Sequence, residues 1–150
     1  MNYQGYSGIF ASRNLSLIYL LAKLCYDPAM IRIGNSPGKG RGIFATQPIA
    51  AHSLIERAPV IVIPAGQWEL MHKTILFDYY FAWGEHSALA LGYGSLYNHS
   101  YQPNARFVKQ FAELMLEFYT LREIAPGEEI VINYNGDPAD DSPLWFPTKP

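Results

Sequence analysis

The sequence predicts a mostly β fold, a β-rich α+β chain of short strands with one clear helix, and three observations carry that expectation. Eleven prolines and twelve glycines punctuate the 150 residues, too often for a helical bundle. Aromatic residues make up 15% of the chain and fall in short runs bounded by turn residues, as strands require. A 49% hydrophobic content supplies one sizeable core, so a single globular domain is expected.

Residues 1–29 differ in character from the rest of the chain. Met1 to Gly8 is polar and rich in Gly and Tyr, Leu15 to Leu24 is a short apolar run, and Asp27-Pro28 closes the segment. The apolar run is too short to span a bilayer and contains Lys23. Cys25-Tyr26-Asp27-Pro28 makes a poor signal-cleavage site. The segment therefore reads as an N-terminal extension, helical or poorly ordered, on an intracellular, cytoplasmic protein with no membrane partner.

Met30 opens the patterned region, residues 30–136. Ile31-Arg32-Ile33 alternates like a first strand. Gly34 to Gly42 is expected as a loop and Ile43-Phe44-Ala45 as a short strand. Pro48 to His52 is a turn, and Ser53 to Arg57 and Val60 to Ile63 are strands broken by Pro59. The helix is expected over Trp68 to Tyr80, where Trp68, Met71, Ile75 and Tyr79, with Leu76, recur at three- and four-residue spacing. Phe81 to Gly94 reads as strand and loop, and Arg106-Phe107-Val108 with Leu114 to Thr120 as a hairpin. Ile130 to Asn133 is a final strand. Residues 137–150 form a turn-rich tail containing Leu144-Trp145-Phe146.

Charge and cysteine content narrow the function. A net charge of −2 and pI near 6.0, with Lys and Arg scattered, argue against a nucleic-acid backbone binder. Cys25 stands alone and the four histidines lack ligand spacing, so neither a disulfide framework nor a metal site is expected.

Two polar segments stand out instead. Gly94 to Asn104 contains Tyr97-Asn98-His99-Ser100 and Pro103-Asn104, dense in directional donors and acceptors. Burying such a loop costs desolvation unless a partner satisfies it, so it is expected outside the core. Downstream, Ala125-Pro126-Gly127 turns into Glu128 to Tyr134. Gly38-Lys39-Gly40-Arg41-Gly42 is a third feature. Its glycines let backbone groups approach a ligand closely, but it runs into a strand and lacks the Gly-Lys-Ser/Thr opening of a phosphate loop. By itself, a plain glycine-rich hairpin turn is the better explanation.

Together, in this order and spacing, these three segments resemble the signature of SET-domain protein-lysine methyltransferases, of the minimal bacterial or viral type without cysteine-rich flanking segments. The resemblance covers roughly residues 31–136. It implies a β-clip-like fold in which the Asn-His loop and the C-terminal motif meet in a knot-like crossing. It implies S-adenosyl-L-methionine as cofactor, held by Lys39, Gly40, Arg41, Asn98, His99, Tyr134 and, from the tail, Trp145. Tyr134 is the implied catalytic tyrosine, and Phe107 and Ile132 the implied walls of the lysine channel. Neither wall residue carries a hydroxyl, which leaves room for more than one methylation. The implied partner is a protein substrate presenting a lysine, and a homodimer is compatible with the chain.

The chain departs from the family at Ser95, where an Arg is common, at Tyr101, where a Cys is common, and at Arg57, which follows Glu56 where a channel tyrosine often stands. The residue types suit the chemistry in their own right. Methyl transfer to an amine needs a neutral nitrogen in close alignment. A cationic sulfonium and a desolvating aromatic channel both lower a lysine pKa, and aromatic faces attract the cation. Two alternatives remain: a catalytically silent module that binds a protein partner, and a methyltransferase of a non-protein amine. Asp137, Asp140 and Asp141 would attract a basic peptide, or simply solvate a turn.

Overall fold

The structure, a computed structural model, describes residues 28–144. The N-terminal extension up to residue 27, including Cys25 and the Leu15 to Leu24 run, and the Trp145-Phe146 pair lie outside the described residues.

Nine strands in two sheets make up the described chain. β1 (Ile31–Ser36) and β2 (Gly40–Ala45) form a hairpin, β9 (Glu129–Ile132) pairs with β2, and β6 (Asn98–His99) pairs with β9, giving the order β1-β2-β9-β6. The second sheet has the order β4-β5-β3-β8-β7, from β3 (Leu54–Ile63), β4 (Tyr80–Trp83), β5 (His86–Ala90), β7 (Ala105–Gln110) and β8 (Met115–Thr120).

The glycine-rich segment is mostly strand. Lys39 N–H donates to the Ser36 carbonyl at 3.0 Å, and Gly38 has φ 76°. Pro37 followed by a positive-φ glycine is the pattern of a type II turn. The hairpin therefore closes on Pro37 to Lys39, and Gly34, Gly40 and Gly42 lie in the ladder.

β3 is continuous through Pro59. Up to Pro59 it pairs with β8, and from Val60 it pairs with β5 on its other side. Pro59 stands at that handover, where its missing N–H interrupts neither ladder. Changing partners midway curls the sheet.

The expected helix over Trp68 to Tyr80 is a single α turn, α1 (Trp68–Met71), followed by a 3-10 turn over Ile75–Asp78. Thr74 is the breaker. It is extended, at φ −125° and ψ 162°, and its hydroxyl accepts from Leu76 N–H, the local competition that disfavours this residue inside helices. Of the periodic residues Met71 alone is buried, while Ile75 is 72% exposed. Tyr80 and Phe81 join β4 and pair with Leu89 and Ala88 of β5.

Both sheets contribute to one core. Ile31, Ile43 and Ile130 from the first meet Ile55, Ala88, Leu116 and Phe118 from the second. Ile49 and Ile124 bridge the turns between the sheets. Tyr97 stacks on Phe118 with centroids 4.4 Å apart and 22° between planes, a contact worth about 0.5–1.5 kcal/mol beyond its area. That stack seats the segment leading into β6.

Candidate active site

The site is built where β6 runs parallel to β9. Asn98 lies opposite Val131 and His99 opposite Ile132, and Ser100 N–H donates to the Ile132 carbonyl. The polar loop is not outside the core as expected: His99 and Asn104 are 8% and 2% exposed. Partners from the downstream segment offset the desolvation. Asn104 Nδ2 donates to Glu128 Oε1 and the Glu129 carbonyl, and its Oδ1 accepts from Val131 N–H at 2.8 Å. Asn98 Nδ2 donates to the Arg41 carbonyl at 3.1 Å and to Glu129 Oε1 at 2.7 Å. Ser36 donates to the other Glu129 oxygen. Gly42 is required here, because a Cβ would collide with Glu129 Oε1 and sit 2.8 Å from Asn98 Nδ2. All three sequence segments thus converge on one carboxylate.

His99 positions Tyr134. Its Nδ1 accepts from Tyr134 N–H at 3.2 Å, so a neutral ring carries its proton on Nε2. Burial, and secondarily the Lys39 charge, lower its pKa and favour that neutral form. Nε2 is buried and has no partner among the described residues. The Tyr134 hydroxyl donates to the Tyr97 carbonyl at 2.8 Å. Burial, with Tyr79 and Glu129 nearby, pushes its pKa up to about 12. The phenol stays protonated and is no general base at neutral pH.

Two cavities share Tyr134 in their lining. The larger, about 470 Å³, is lined by Lys39, Gly40, Arg41, Leu96 and Asn98. The smaller, about 160 Å³, is walled by Tyr80, Phe81, Tyr97 and Phe107, with Lys109, Asn135 and Gly136. Asp78, Tyr79, Ser95 and Tyr134 line both. The aromatic walls touch: Phe81 meets Phe107 edge-on at 5.1 Å.

Of the residues expected in the site, Lys39, Gly40, Arg41, Asn98, Tyr134 and Phe107 line these cavities. His99 does not line them with its ring, although its carbonyl accepts from Lys39 Nζ at 3.4 Å. Ile132 is displaced from the expected channel: alternation along β9 turns it into the core, fully buried beside Ile130. Arg57 is not a channel wall either. Alternation on β3 buries Glu56, which accepts from Tyr93 N–H and the Tyr97 hydroxyl. Arg57 faces outward and pairs with Glu113 and Glu117. Trp145 lies outside the described residues. Asp137 and Asp140 accept from Ala139 and Ser142 N–H groups, which fits the solvated-turn account of the acidic tail.

Sequence reasoning missed Asp78, Tyr79, Tyr80 and Phe81. The aromatic triplet is legible in the chain, but placing part of it on a helix face hides it from the site. Tyr97 is visible beside Asn98 and reads there only as a motif neighbour.

Three comparisons bear on this geometry. The family profile described as "SET domain" matches residues 40–135. Over 118 residues the chain is 39% identical to a histone-lysine N-methyltransferase, H3 lysine-37 specific, of Schizosaccharomyces pombe, covering 77% of this chain and 76% of that protein. A crystal structure of a Plasmodium falciparum protein superposes with TM-score 0.55 at 32% identity, covering 70% of this chain and 92% of the other.

Proposed function

Because the chain belongs to the SET-domain family, as a protein-lysine methyltransferase, we propose that it transfers a methyl group from S-adenosylmethionine to the side-chain amine of a lysine in a protein substrate. The observation that carries this reading is the pair of cavities sharing Tyr134, one polar and roomy, one narrow and aromatic.

The larger cavity suits the cofactor. Its volume lies within the roughly 300–1,000 Å³ of small-molecule sites. Lys39 and Arg41 offer cations to a carboxylate, and Asp78 offers an anion to an ammonium or sulfonium. Both amide protons of Asn98 are engaged by Arg41 and Glu129, while its Oδ1 has no donor among the described residues and is suited to accept one from the ligand. When bound, S-adenosylmethionine supplies an electrophilic methyl on a positively charged sulfur.

The chain's own residues do the rest. Tyr80, Phe81 and Phe107 strip water from an incoming lysine, which lowers its pKa and favours the neutral amine. The same ring faces attract the cationic form on entry. Tyr134 is the catalytic residue, its hydroxyl oxygen orienting the amine at the junction of the cavities. His99 holds the Tyr134 backbone, and the Tyr97 carbonyl holds its hydroxyl. With a pKa near 12, the phenol positions the amine and does not deprotonate it. Phe107, with no hydroxyl, still leaves room for more than one methyl; Ile132, buried away from the cavity, adds nothing to that argument.

Tyr134→Phe tests the reading. Deleting the hydroxyl should lower methyl transfer about 10²–10⁴-fold, the usual contribution of a positioned catalytic group, with cofactor affinity little changed. The H3 specificity of the fission-yeast relative makes histone H3 the first substrate to assay, followed by a lysate with labelled lysines located by mass spectrometry. A wild-type protein that binds cofactor but labels no lysine would favour the silent partner-binding module. An active wild type with an equally active Tyr134→Phe variant would remove Tyr134 from the chemistry.

A further inference from the structure

The residue that departs from the family at position 101 has a specific use in this fold. Tyr101 stands two residues after His99, with its ring edge-on to the imidazole at 4.5 Å and 87°. It is 36% exposed, yet its hydroxyl is engaged twice. It donates to the Ser142 carbonyl at 3.2 Å and accepts from Leu144 N–H at 3.3 Å, drawing on both the donor and the acceptor capacity of a phenol.

Ser142 is a node. Its carbonyl also accepts from Asn135 Nδ2 at 2.8 Å. Two residues earlier, the Asp140 carbonyl accepts from Asn133 Nδ2 at 2.6 Å. Asn133 and Asn135 flank Tyr134, and Asn135 lines the aromatic cavity. A closed circuit results: Tyr101 to the tail, the tail to Asn133 and Asn135, and Tyr134 back through its N–H to His99.

We infer that Tyr101 is a positioning residue, whose hydroxyl clamps the 140–144 tail against residues 133–135 and so fixes the wall of the aromatic cavity that carries Tyr134. The inference rests on the methyltransferase reading only for its kinetic consequence; the clamp itself is a property of the free protein. Tyr101 shares the tail with Asn133 and Asn135, so loss of its hydroxyl leaves the tail on the two asparagines and loosens the wall that they flank.

The test uses the full chain with Tyr101→Phe, which keeps the ring on His99 and removes both hydrogen bonds. Hydrogen exchange followed by mass spectrometry should show faster exchange over residues 140–144 and over 133–136. Turnover of methyl transfer should fall about ten-fold through misplacement of the reacting groups, while cofactor affinity, measured by calorimetry, stays within about two-fold. Asn135→Ala shares the Ser142 acceptor, so the double variant should lose little more than either single one. Unchanged exchange over 133–136, or additive losses in the double variant, would overturn the clamp. Faster exchange with unchanged turnover would overturn the positioning role. If the wild-type protein transfers no methyl group, the methyltransferase reading fails, and the exchange measurement alone still decides whether Tyr101 holds this wall.

Discussion

Asn98 illustrates how one side chain joins two strands at the edge of a cavity. Its amide nitrogen ties the Arg41 carbonyl of β2 to the Glu129 carboxylate of β9, at the lining of the larger cavity. Asn98→Ala removes its side-chain oxygen and leaves Glu129 short of a donor. S-adenosylmethionine affinity should weaken by about 1–3 kcal/mol, the usual effect of leaving polar groups unpaired. Calorimetric titration of the folded variant checks it, and unchanged affinity would take Asn98 out of the site. Arg57 makes the complementary point. Taken as a single residue it looks like a defect in the channel, yet its guanidinium is on the outer face of β3 with Glu113 and Glu117.

At the scale of elements, the short parallel pairing of β6 with β9 holds the site together, and two residues of strand are too few to stand alone. Asn104 reinforces them. It is almost fully buried and satisfies Glu128, the Glu129 carbonyl and Val131 N–H at once. Asn104→Ala would strand a backbone donor and a backbone acceptor in the core, at a cost on the order of 3 kcal/mol. Urea unfolding should show a lower midpoint with an unchanged slope. A variant as stable as wild type would mean that water or another side chain replaces these bonds. The 68–78 segment shows the opposite case: α1 is one turn long because the Thr74 hydroxyl competes for the backbone, and the freed aromatics are delivered to β4 and the cavity wall.

For the whole molecule, the coupling of charge to folding predicts how stability falls in acid. His99 has a lowered pKa in the folded state. The unfolded chain therefore binds its proton more readily, and stability declines as pH drops below about 6.5. Protonation would also set a donor at Nδ1 against Tyr134 N–H. Glu128 is held down to about 2, mainly by the Arg122 guanidinium and then by Ala125 N–H and Asn104. Its contribution is complete above its ordinary value near 4.5 and is lost as pH falls from there towards 2. Glu56 opposes them: burial raises its pKa, so it favours folding most when protonated and less as pH rises above about 4.5. Unfolding midpoints measured from pH 7 to 2 should decline across both windows, and Glu128→Gln should flatten the lower one. An unchanged lower limb would show that Arg122 and Glu128 contribute nothing in solution. Among the described residues no helix is long and apolar enough to cross a membrane.

The sequence by itself determined the β-rich class, most of the strands, the family, and part of the lining of the larger cavity, namely Lys39, Gly40, Arg41, Asn98 and Tyr134. Those are written locally: alternation and turn residues specify strands, and the glycine, Asn-His and Glu-Tyr segments carry their chemistry in consecutive positions. Tertiary structure alone decided which face each side chain presents. Period-two alternation turned Ile132 into the core and Arg57 outward, and the register shift between Leu54 and Glu56 precedes the phase that β3 keeps from Glu56 on. It decided, too, that His99 braces Tyr134 instead of lining a cavity, and that Tyr79, Tyr80 and Phe81 reach the site. Hydrogen bonds between residues some thirty to sixty positions apart, such as Asn98 to Glu129 and to Arg41, depend on how β2, β9 and β6 assemble into one sheet, and no local pattern encodes that assembly.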